Sequence, residues 1–161
     1  MNSGYTYFDG YRTSPYGRAQ AVPLLAVYRT FLGELALRLE SDGVGLLNTS
    51  IFLSARAKLP PGGGPFLTLI ETGGVGPLFT HNEIGSAKLR PGAQVVVRGG
   101  SYVATRLMAD QAYASLDGVF NTLIGTSWYQ SLTARQEPTD IGLDDFGRVR
   151  VSFNLDAVRT V

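Results

Sequence analysis

Residues 81–83 could act in acid–base chemistry. His81 stands beside Asn82 and Glu83, and a histidine with a carboxylate to orient it can act as a general base. No serine or cysteine in a nucleophile motif accompanies it, and the side chains of consecutive residues rarely converge. We therefore interpret His81 as a loop histidine.

The segment Asp144–Gly147 contains the Asp-Phe-Gly triplet that binds magnesium in protein kinases. The chain lacks the catalytic-loop motif of those enzymes and is too short for their fold. Neighbouring aspartates such as Asp144 and Asp145 more often cap a turn than bind a metal, so the segment predicts a tight turn.

Glycines at 73–76 and at 99–100 could present backbone amides to a phosphate. Neither segment is followed by the Gly-Lys and acidic partners of a phosphate loop, and neither completes a dinucleotide fingerprint. We interpret both as turns. The sequence therefore predicts no catalytic residue, no cofactor site and no metal site, and we expect no enzyme.

Composition excludes several further classes of protein. The 161 residues fit one domain, and the 14 basic and 13 acidic side chains nearly cancel, unlike the strongly basic surface of most nucleic-acid-binding proteins. Without cysteine and with a single histidine, thiolate and multi-histidine metal sites are excluded. No apolar run reaches the ~18–20 residues of a membrane span, and the first residues do not read as a signal peptide. We expect a protein of a cytoplasm-like compartment.

The first 21 residues differ from the rest and predict an extended aromatic N-terminal arm. Disordered segments are depleted in aromatic residues, and tyrosine and arginine are favoured at interfaces. Two interpretations stay open: the arm folds back over its own domain, or it docks on a neighbouring subunit. The residues expected to make its contacts are Tyr5, Tyr7, Phe8, Tyr11, Arg12 and Tyr16.

Residues 22–161 predict a single domain with two helices. Apolar residues recur every three or four positions from Pro23 to Glu40 and again from Ser101 to Phe120, so each helix has one apolar face. Ser101 is placed to cap the second helix, and we expect Gly99 and Gly100 to turn the chain through positive φ angles.

Five segments predict strands: residues 49–56, 66–71, 94–98, 126–133 and 148–156. The last is the clearest, because its apolar and polar residues alternate strictly. Residues 138–145 predict a turn region. The sequence thus predicts an α+β fold, with a mainly antiparallel sheet of about four to five strands and two amphipathic helices packed on it.

Residues 72–93 predict a long connection. Loops of this length are usually functional or become ordered against a partner. We therefore expect His81, Lys88 and Arg90 to contact another subunit or protein.

Short motifs in the second half of the chain resemble a family of tailed-bacteriophage neck proteins, the minor capsid and tail-terminator proteins of long-tailed phages. The layout agrees from about residue 24 to the end, and the specific residues lie between 71 and 153. They are Glu71-Thr72-Gly73-Gly74, Pro91 before Gln94–Gly99, Tyr102, Ala109, Trp128-Tyr129, Pro138, Gly142, Asp144 and Gly147-Arg148.

The resemblance implies a virion protein of the tail neck, assembled in the host cytoplasm, with neither a cofactor nor a membrane partner. Its subunits would form a ring of six that caps the tail tube, stops tube polymerisation and offers the surface on which the head docks. The implied partners are further copies of the chain, the tail tube protein and a head-completion or connector protein. Double-stranded DNA would pass through the lumen without specific binding. The arm is longer than the N-termini of this family.

Two other functions stay open at this stage. One is another head–tail connector or head-completion protein. The other is a small nucleic-acid-binding module that uses Arg98, Arg106, Arg148 and Arg150.

Overall fold

The described part of the chain folds into two helices and nine strands. The structure is a computed structural model, and it describes residues 29–54, 58–79 and 87–160. The helices are α1 (Phe31–Ser41) and α2 (Tyr102–Leu116). The strands are β1 (Ile51–Leu53), β2 (Phe66–Glu71), β3 (Val75–Phe79), β4 (Ala87–Arg90), β5 (Gly92–Gly99), β6 (Val119–Ile124), β7 (Ser127–Ala134), β8 (Thr139–Leu143) and β9 (Val149–Thr160).

Strand β9 is the centre of the sheet, and it is flanked on each side by two strands placed end to end. Along one edge it pairs with β5, from Gly92 opposite Asp156 to Gly99 opposite Val149, and then with β4. Along the other edge it pairs with β8 and then with β7. Beyond these lie β2 beside β5, β3 beside β4, and the outer strands β1 and β6.

The chain is α+β overall, but the predicted sheet of four to five mainly antiparallel strands is wrong. Nine strands form a mixed sheet, in which β1 runs parallel to β2. Three of the missed strands, β3, β4 and β8, have no fully buried residue. A strand without a buried face shows no alternation of apolar and polar residues, so β3 and β4 read as a long connection and β8 as a turn.

The fourth missed strand, β6, was predicted as the end of the second helix. That helix ends at Leu116, and Gly118 then takes a φ of +70°, which reverses the chain into a strand. Val119 and Phe120 therefore belong to β6 rather than to a helical face. Their spacing from Leu116 would continue the apolar face of the helix, but Gly118 lies between Leu116 and Val119 and ends it.

The predicted start of the second helix also needs correction. Ser101 has the extended backbone of an N-cap, yet its side chain makes no capping hydrogen bond. Its carbonyl instead accepts from the Thr105 hydroxyl at 2.7 Å. Gly99 and Gly100 do not take positive φ angles. Position 99 excludes a side chain for another reason, since a Cβ there would lie 2.4 Å from Thr105 Oγ1.

Both helices cover one face of the sheet and form the core with it. In α1 the predicted apolar face is confirmed, since Leu35 and Leu39 are fully buried, and Thr30 caps the helix by accepting from the Gly33 amide at 3.0 Å. The predicted start at Pro23 lies outside the described residues. The sheet contributes to this core the fully buried residues Leu67, Leu69, Val95, Val97, Leu132, Val151, Phe153 and Leu155. Alanines 109 and 112 of α2, both fully buried, let the helix lie close to β5 and β9.

Candidate docking surfaces

Most of the predicted contact residues lie outside the described part of the chain. These are the arm residues Tyr5, Tyr7, Phe8, Tyr11, Arg12 and Tyr16, together with His81. Lys88 and Arg90 are placed, and both lie on β4 rather than in a loop. The predicted connection 72–93 is thus largely a β-hairpin of β3 and β4.

The β3–β4 hairpin projects from one end of the sheet and is poorly covered. Every residue of β3 is exposed, including Val75, Leu78 and Phe79, the last with 77% of its surface exposed. The hairpin meets β9 at a single register pair, Leu89 opposite Arg159. Three exposed apolar side chains on one short strand are typical of a surface that another protein covers.

A glycine fixes the base of the hairpin. Gly74 has a φ of +73°, and a Cβ there would lie 2.1 Å from the Arg90 carbonyl oxygen. No other residue fits at this position, because both the backbone angle and the space exclude a side chain. Gly73-Gly74, interpreted from the sequence as a turn, therefore forms the turn between β2 and β3.

A buried polar cluster lies below the hairpin base. The fully buried Glu34 carboxylate accepts hydrogen bonds from the Ser127 hydroxyl at 2.6 Å, from the Tyr129 hydroxyl at 2.7 Å and from the Arg159 guanidinium. The guanidinium also stacks 5.3 Å from the centre of the Phe31 ring. The Glu34–Arg159 ion pair thus ties α1 to the last strand.

This cluster holds Tyr129 in its neutral form. Burial raises the pKa of the Tyr129 hydroxyl far above its ordinary value, and the hydrogen bond to the Glu34 carboxylate raises it further. The hydroxyl is a permanent donor, so it is unsuited to proton transfer near neutral pH. The role of the cluster is to position α1 on the sheet.

The Glu34 cluster lies next to the base of the β3–β4 hairpin. Arg159 lines a hollow of about 300 Å³ together with Thr30, Phe31, Gly73 and Pro91. The first turn of α1 therefore lies beside the base of the β3–β4 hairpin. Thr30, at the start of α1, thus lies at the same end of the fold as the base of the hairpin.

Three further groups of apolar side chains are exposed on other sides of the molecule. On the β6–β7 hairpin these are Phe120, Leu123 and Trp128; on β8 and its turn Ile141, Leu143 and Phe146; and on α2 Tyr102, Val103 and Leu107. Sequence reasoning missed these groups because exposure has no sequence signal of its own. Of these residues, only Tyr102 and Trp128 lay in motifs used for the family resemblance.

The four arginines of the nucleic-acid alternative do not share one surface. Arg106 lies on α2, where it pairs with Asp110 and donates to the Pro138 carbonyl at 2.8 Å. Arg148 is held by Asp144 at 2.8 Å. Arg98 and Arg150 lie opposite each other on the face of the sheet that faces away from the helices.

The Asp144–Gly147 segment is the tight turn that the sequence predicts. Burial by itself would raise the pKa of Asp144, but the Arg148 amide and guanidinium and the Phe146 amide donate to its carboxylate and lower that pKa below the ordinary value. The carboxylate is fully used as a cap. Within residues 29–54, 58–79 and 87–160 no group of three or more side chains could hold a metal ion. None of the helices there is long and apolar enough to cross a membrane.

With this geometry in hand, a comparison with solved structures identifies a similar fold. The similar fold is found in a virion particle. The described fold resembles a chain of the virion of a native gene transfer agent particle, with a TM-score of 0.52 over 86% of this chain and 95% of that chain, at 14% sequence identity. No protein-family model matches the sequence, and no curated protein matches it either.

Proposed function

We propose that this chain is a structural protein of a virion, and more narrowly a tail terminator whose ring caps the tail tube. The observation that carries the proposal is the fold match, which spans 95% of a chain from a virion particle. The motifs between residues 71 and 153 support the narrower role, because they resemble those of phage neck proteins.

The distribution of exposed apolar side chains supports a ring subunit. A subunit in a closed ring needs two different lateral surfaces, and a ring between tube and head needs two axial surfaces as well. Four separate groups of exposed apolar residues supply such surfaces: those of the β3–β4 hairpin, of α2, of the β6–β7 hairpin and of the β8–β9 turn. A monomer that functioned alone would have little use for all four.

The two ends of β9 provide the axial surfaces. The β3–β4 hairpin lies near Arg159 and the β8–β9 turn lies next to Val149, which places them about 33 Å apart along the strand. Phe79 and Phe146 are the most exposed aromatic residues at these ends, at 77% and 83%. In the proposed ring one end contacts the tail tube and the other contacts the head side.

The charge of the chain suits a conduit for DNA. A net charge of +1 and ion-paired arginines give a lumen that does not hold phosphates, since dense phosphate contacts would retain the passing genome. The proposed location is the neck of the virion, after assembly in the host cytoplasm.

The test is termination of tube growth. Purified protein mixed with polymerising tail-tube subunits should shorten the tubes, measured as a length distribution by electron microscopy. Phe79→Ser and Phe146→Ser form a matched pair of variants at the two ends, and only the variant at the tube-facing end should lose the effect. Tube lengths that do not change with the wild-type protein would contradict the terminator role.

The related role of a connector or head-completion protein predicts a different partner. In pull-down assays a terminator retains the tail tube protein, whereas a head-completion protein retains the head connector. The nucleic-acid alternative predicts DNA affinity that falls steeply with salt. Arg106 lies on α2, apart from the other three arginines, and Arg106 and Arg148 are each ion-paired within the subunit, which disfavours it.

A further inference from the structure

Four buried side-chain polar atoms of the described residues have no hydrogen-bond partner: Thr68 Oγ1, Arg98 Nε, Arg150 Nε and Arg159 Nε. Three of the four belong to neighbouring positions on one face of the sheet. Buried polar atoms in native proteins are almost always satisfied, so these atoms mark a part of the sheet whose polar groups are unmet within the described chain. Thr68 is itself covered, with 2% of its surface exposed, whereas Arg98 and Arg150 are half-buried, and we call the surface that these two arginines form the arginine face.

The strand register places the arginine face opposite the helices. Leu67, Val97 and Val151 are fully buried under the helices, and side chains alternate along a strand. Thr68, Arg98 and Arg150 therefore point the other way.

Within this face the two arginines repel each other. Arg98 stands directly opposite Arg150, a register that brings Cβ atoms to within roughly 5.5 Å. Neither has an acidic partner among the described residues, and the only acceptor found by either is the Ile141 carbonyl, 3.3 Å from Arg150 Nη2. Like charges directly opposite each other destabilise a sheet. The isolated subunit thus keeps an unfavourable pair that a partner could neutralise.

The chemistry of the arginine face specifies a carboxylate on a protein. Unpaired guanidinium groups are donors only, and two of them side by side suit carboxylate oxygens. Phe66 stands opposite Arg98 in the register, on the side away from Arg150, so an apolar side chain borders the charged pair. Arginine set among apolar residues is typical of protein interfaces, whereas a nucleic-acid surface needs a longer basic stripe.

The chain carries matching carboxylates on its opposite side. Glu137 and Asp140 are exposed, and neither takes part in an ion pair. Asp140 stands opposite Val151, which points towards the helices, so Asp140 lies on the helix side of the sheet.

Glu137 lies on that same side, because Arg106 of α2 donates to the carbonyl of the adjacent Pro138 at 2.8 Å, and the charge of Glu137 acts on Tyr113 of the same helix. The hydrogen bond to Asp117 raises the pKa of this α2 tyrosine, and burial and the negative charges of Asp117 and Glu137 raise it further. The helix side therefore presents two carboxylates without an ion pair, Glu137 and Asp140, where the opposite face has two arginines without an acidic partner among the described residues.

We infer that the arginine face of one copy docks on Glu137 and Asp140 of a second copy, and that this contact repeats around the ring. The inference rests on the proposed ring and names its lateral surfaces. Complementary charges on opposite sides of one subunit produce a heterologous, head-to-tail interface, which is the kind that closes into a ring.

The experiment uses charge reversal and native mass spectrometry of the full chain. Arg98→Glu/Arg150→Glu makes both lateral surfaces negative, and Glu137→Arg/Asp140→Arg makes both positive. Each variant alone should assemble at least about 10-fold more weakly than the wild type, because like charges then meet across the interface. An equimolar mixture of the two variants should assemble again, with copies alternating around the oligomer.

Arg29→Glu/Lys58→Glu is the matched control, since it changes the charge by the same amount at two exposed positions that belong to neither of the two surfaces. It should assemble like the wild type. Circular dichroism establishes that each variant is folded, and Arg98→Gln/Arg150→Gln replaces the reversal should that variant not fold.

The outcomes separate this inference from the proposed function. Oligomers that persist in both reversal variants, or variants that fail to assemble when mixed, overturn the arginine contact and leave the ring proposal intact. A wild-type chain that stays monomeric at all concentrations overturns both.

Discussion

The two faces of the central sheet are built from the same strands, but they differ in whether their side chains find partners within the subunit. On the helix side, residues such as Val97 and Phe153 are fully buried in an apolar core. On the other side, Thr68, Arg98 and Arg150 retain buried polar atoms without partners. The polar groups of one face have partners within the subunit, and we propose that a second copy supplies partners for the two arginines of the other.

The difference shows how a single strand serves folding and assembly together. Along β9 the buried apolar residues alternate with Arg150, Ser152 and Asn154. A side chain on one face can therefore be replaced without displacing the side chains on the other. Substitutions on the helix side should therefore affect the free energy of unfolding, and those on the arginine face should mainly affect assembly.

The largest expected effect is on the helix side. Phe153→Ala removes a fully buried ring that packs edge-on against Tyr113, with ring centres 5.6 Å apart. We expect a loss of about 3–5 kcal/mol in the free energy of unfolding, measured by urea denaturation. Asn154→Ala, its neighbour on the other face, should change that energy by less than about 0.5 kcal/mol. Equal losses for the two variants would remove the distinction between the faces.

Breaking the buried ion pair should have the next largest effect. Arg159→Met leaves the Glu34 carboxylate buried without its countercharge, which typically costs about 3 kcal/mol or more. Arg106→Gln breaks an exposed pair with Asp110 and should cost less than about 1 kcal/mol. Denaturant unfolding of both variants checks the comparison, and a loss as small for Arg159→Met as for the control would contradict the role of the cluster.

The pH dependence of the free energy of unfolding should show the raised pKa of Tyr129. Because its pKa is raised in the folded state, its contribution is fully present below the unfolded value of about 10 and is lost as the pH rises above it. The free energy of unfolding should fall there by up to about 1.4 kcal/mol per pH unit from this group. Tyr129→Phe should show a shallower decline between pH 10 and 11 in the same measurement. Parallel pH profiles for the two proteins would contradict a raised pKa of Tyr129 in the folded state.

On the arginine face we expect a substitution to stabilise the isolated subunit rather than destabilise it. Arg150→Gln removes the repulsion with Arg98 and should stabilise the isolated subunit by a few tenths to about 1 kcal/mol. The same variant should assemble less well than the wild type. Thermal unfolding and native mass spectrometry on one sample measure both effects, and a destabilised subunit would show that the pair is satisfied within the monomer.

The smallest effect on stability is expected from the predicted arm. Deleting residues 1–20 should leave the cooperative unfolding of the domain unchanged while weakening ring contacts or docking. Urea denaturation and native mass spectrometry of the truncated chain check the two parts. Loss of cooperative unfolding would show instead that the arm belongs to the core.

Sequence reasoning found the elements whose spacing or residue types are distinctive. Strand β9 and the apolar faces of both helices were predicted because their apolar residues recur at intervals of two, or of three and four, and β2, β5 and β7 were predicted from short runs of apolar, aromatic and β-branched residues. Strands β3 and β8 were missed because all their residues are exposed. Strand β6 was missed because Gly118 breaks a spacing that otherwise continues from α2.

The candidate surfaces were less predictable than the fold. Lys88 and Arg90 were expected as contacts and do lie on a projecting element, although as part of a hairpin. Arg98 and Arg150 were noted for nucleic acid, but 52 positions separate them in the chain, and their pairing depends on the register between β5 and β9. No pattern in one sequence gives that register.

The measurement that tests the central claim most directly is a negative-stain image of the purified protein, paired with its native mass. The account predicts rings of six subunits with a central lumen. Monomers, or symmetric pairs without a lumen, at concentrations where the protein is folded would contradict it.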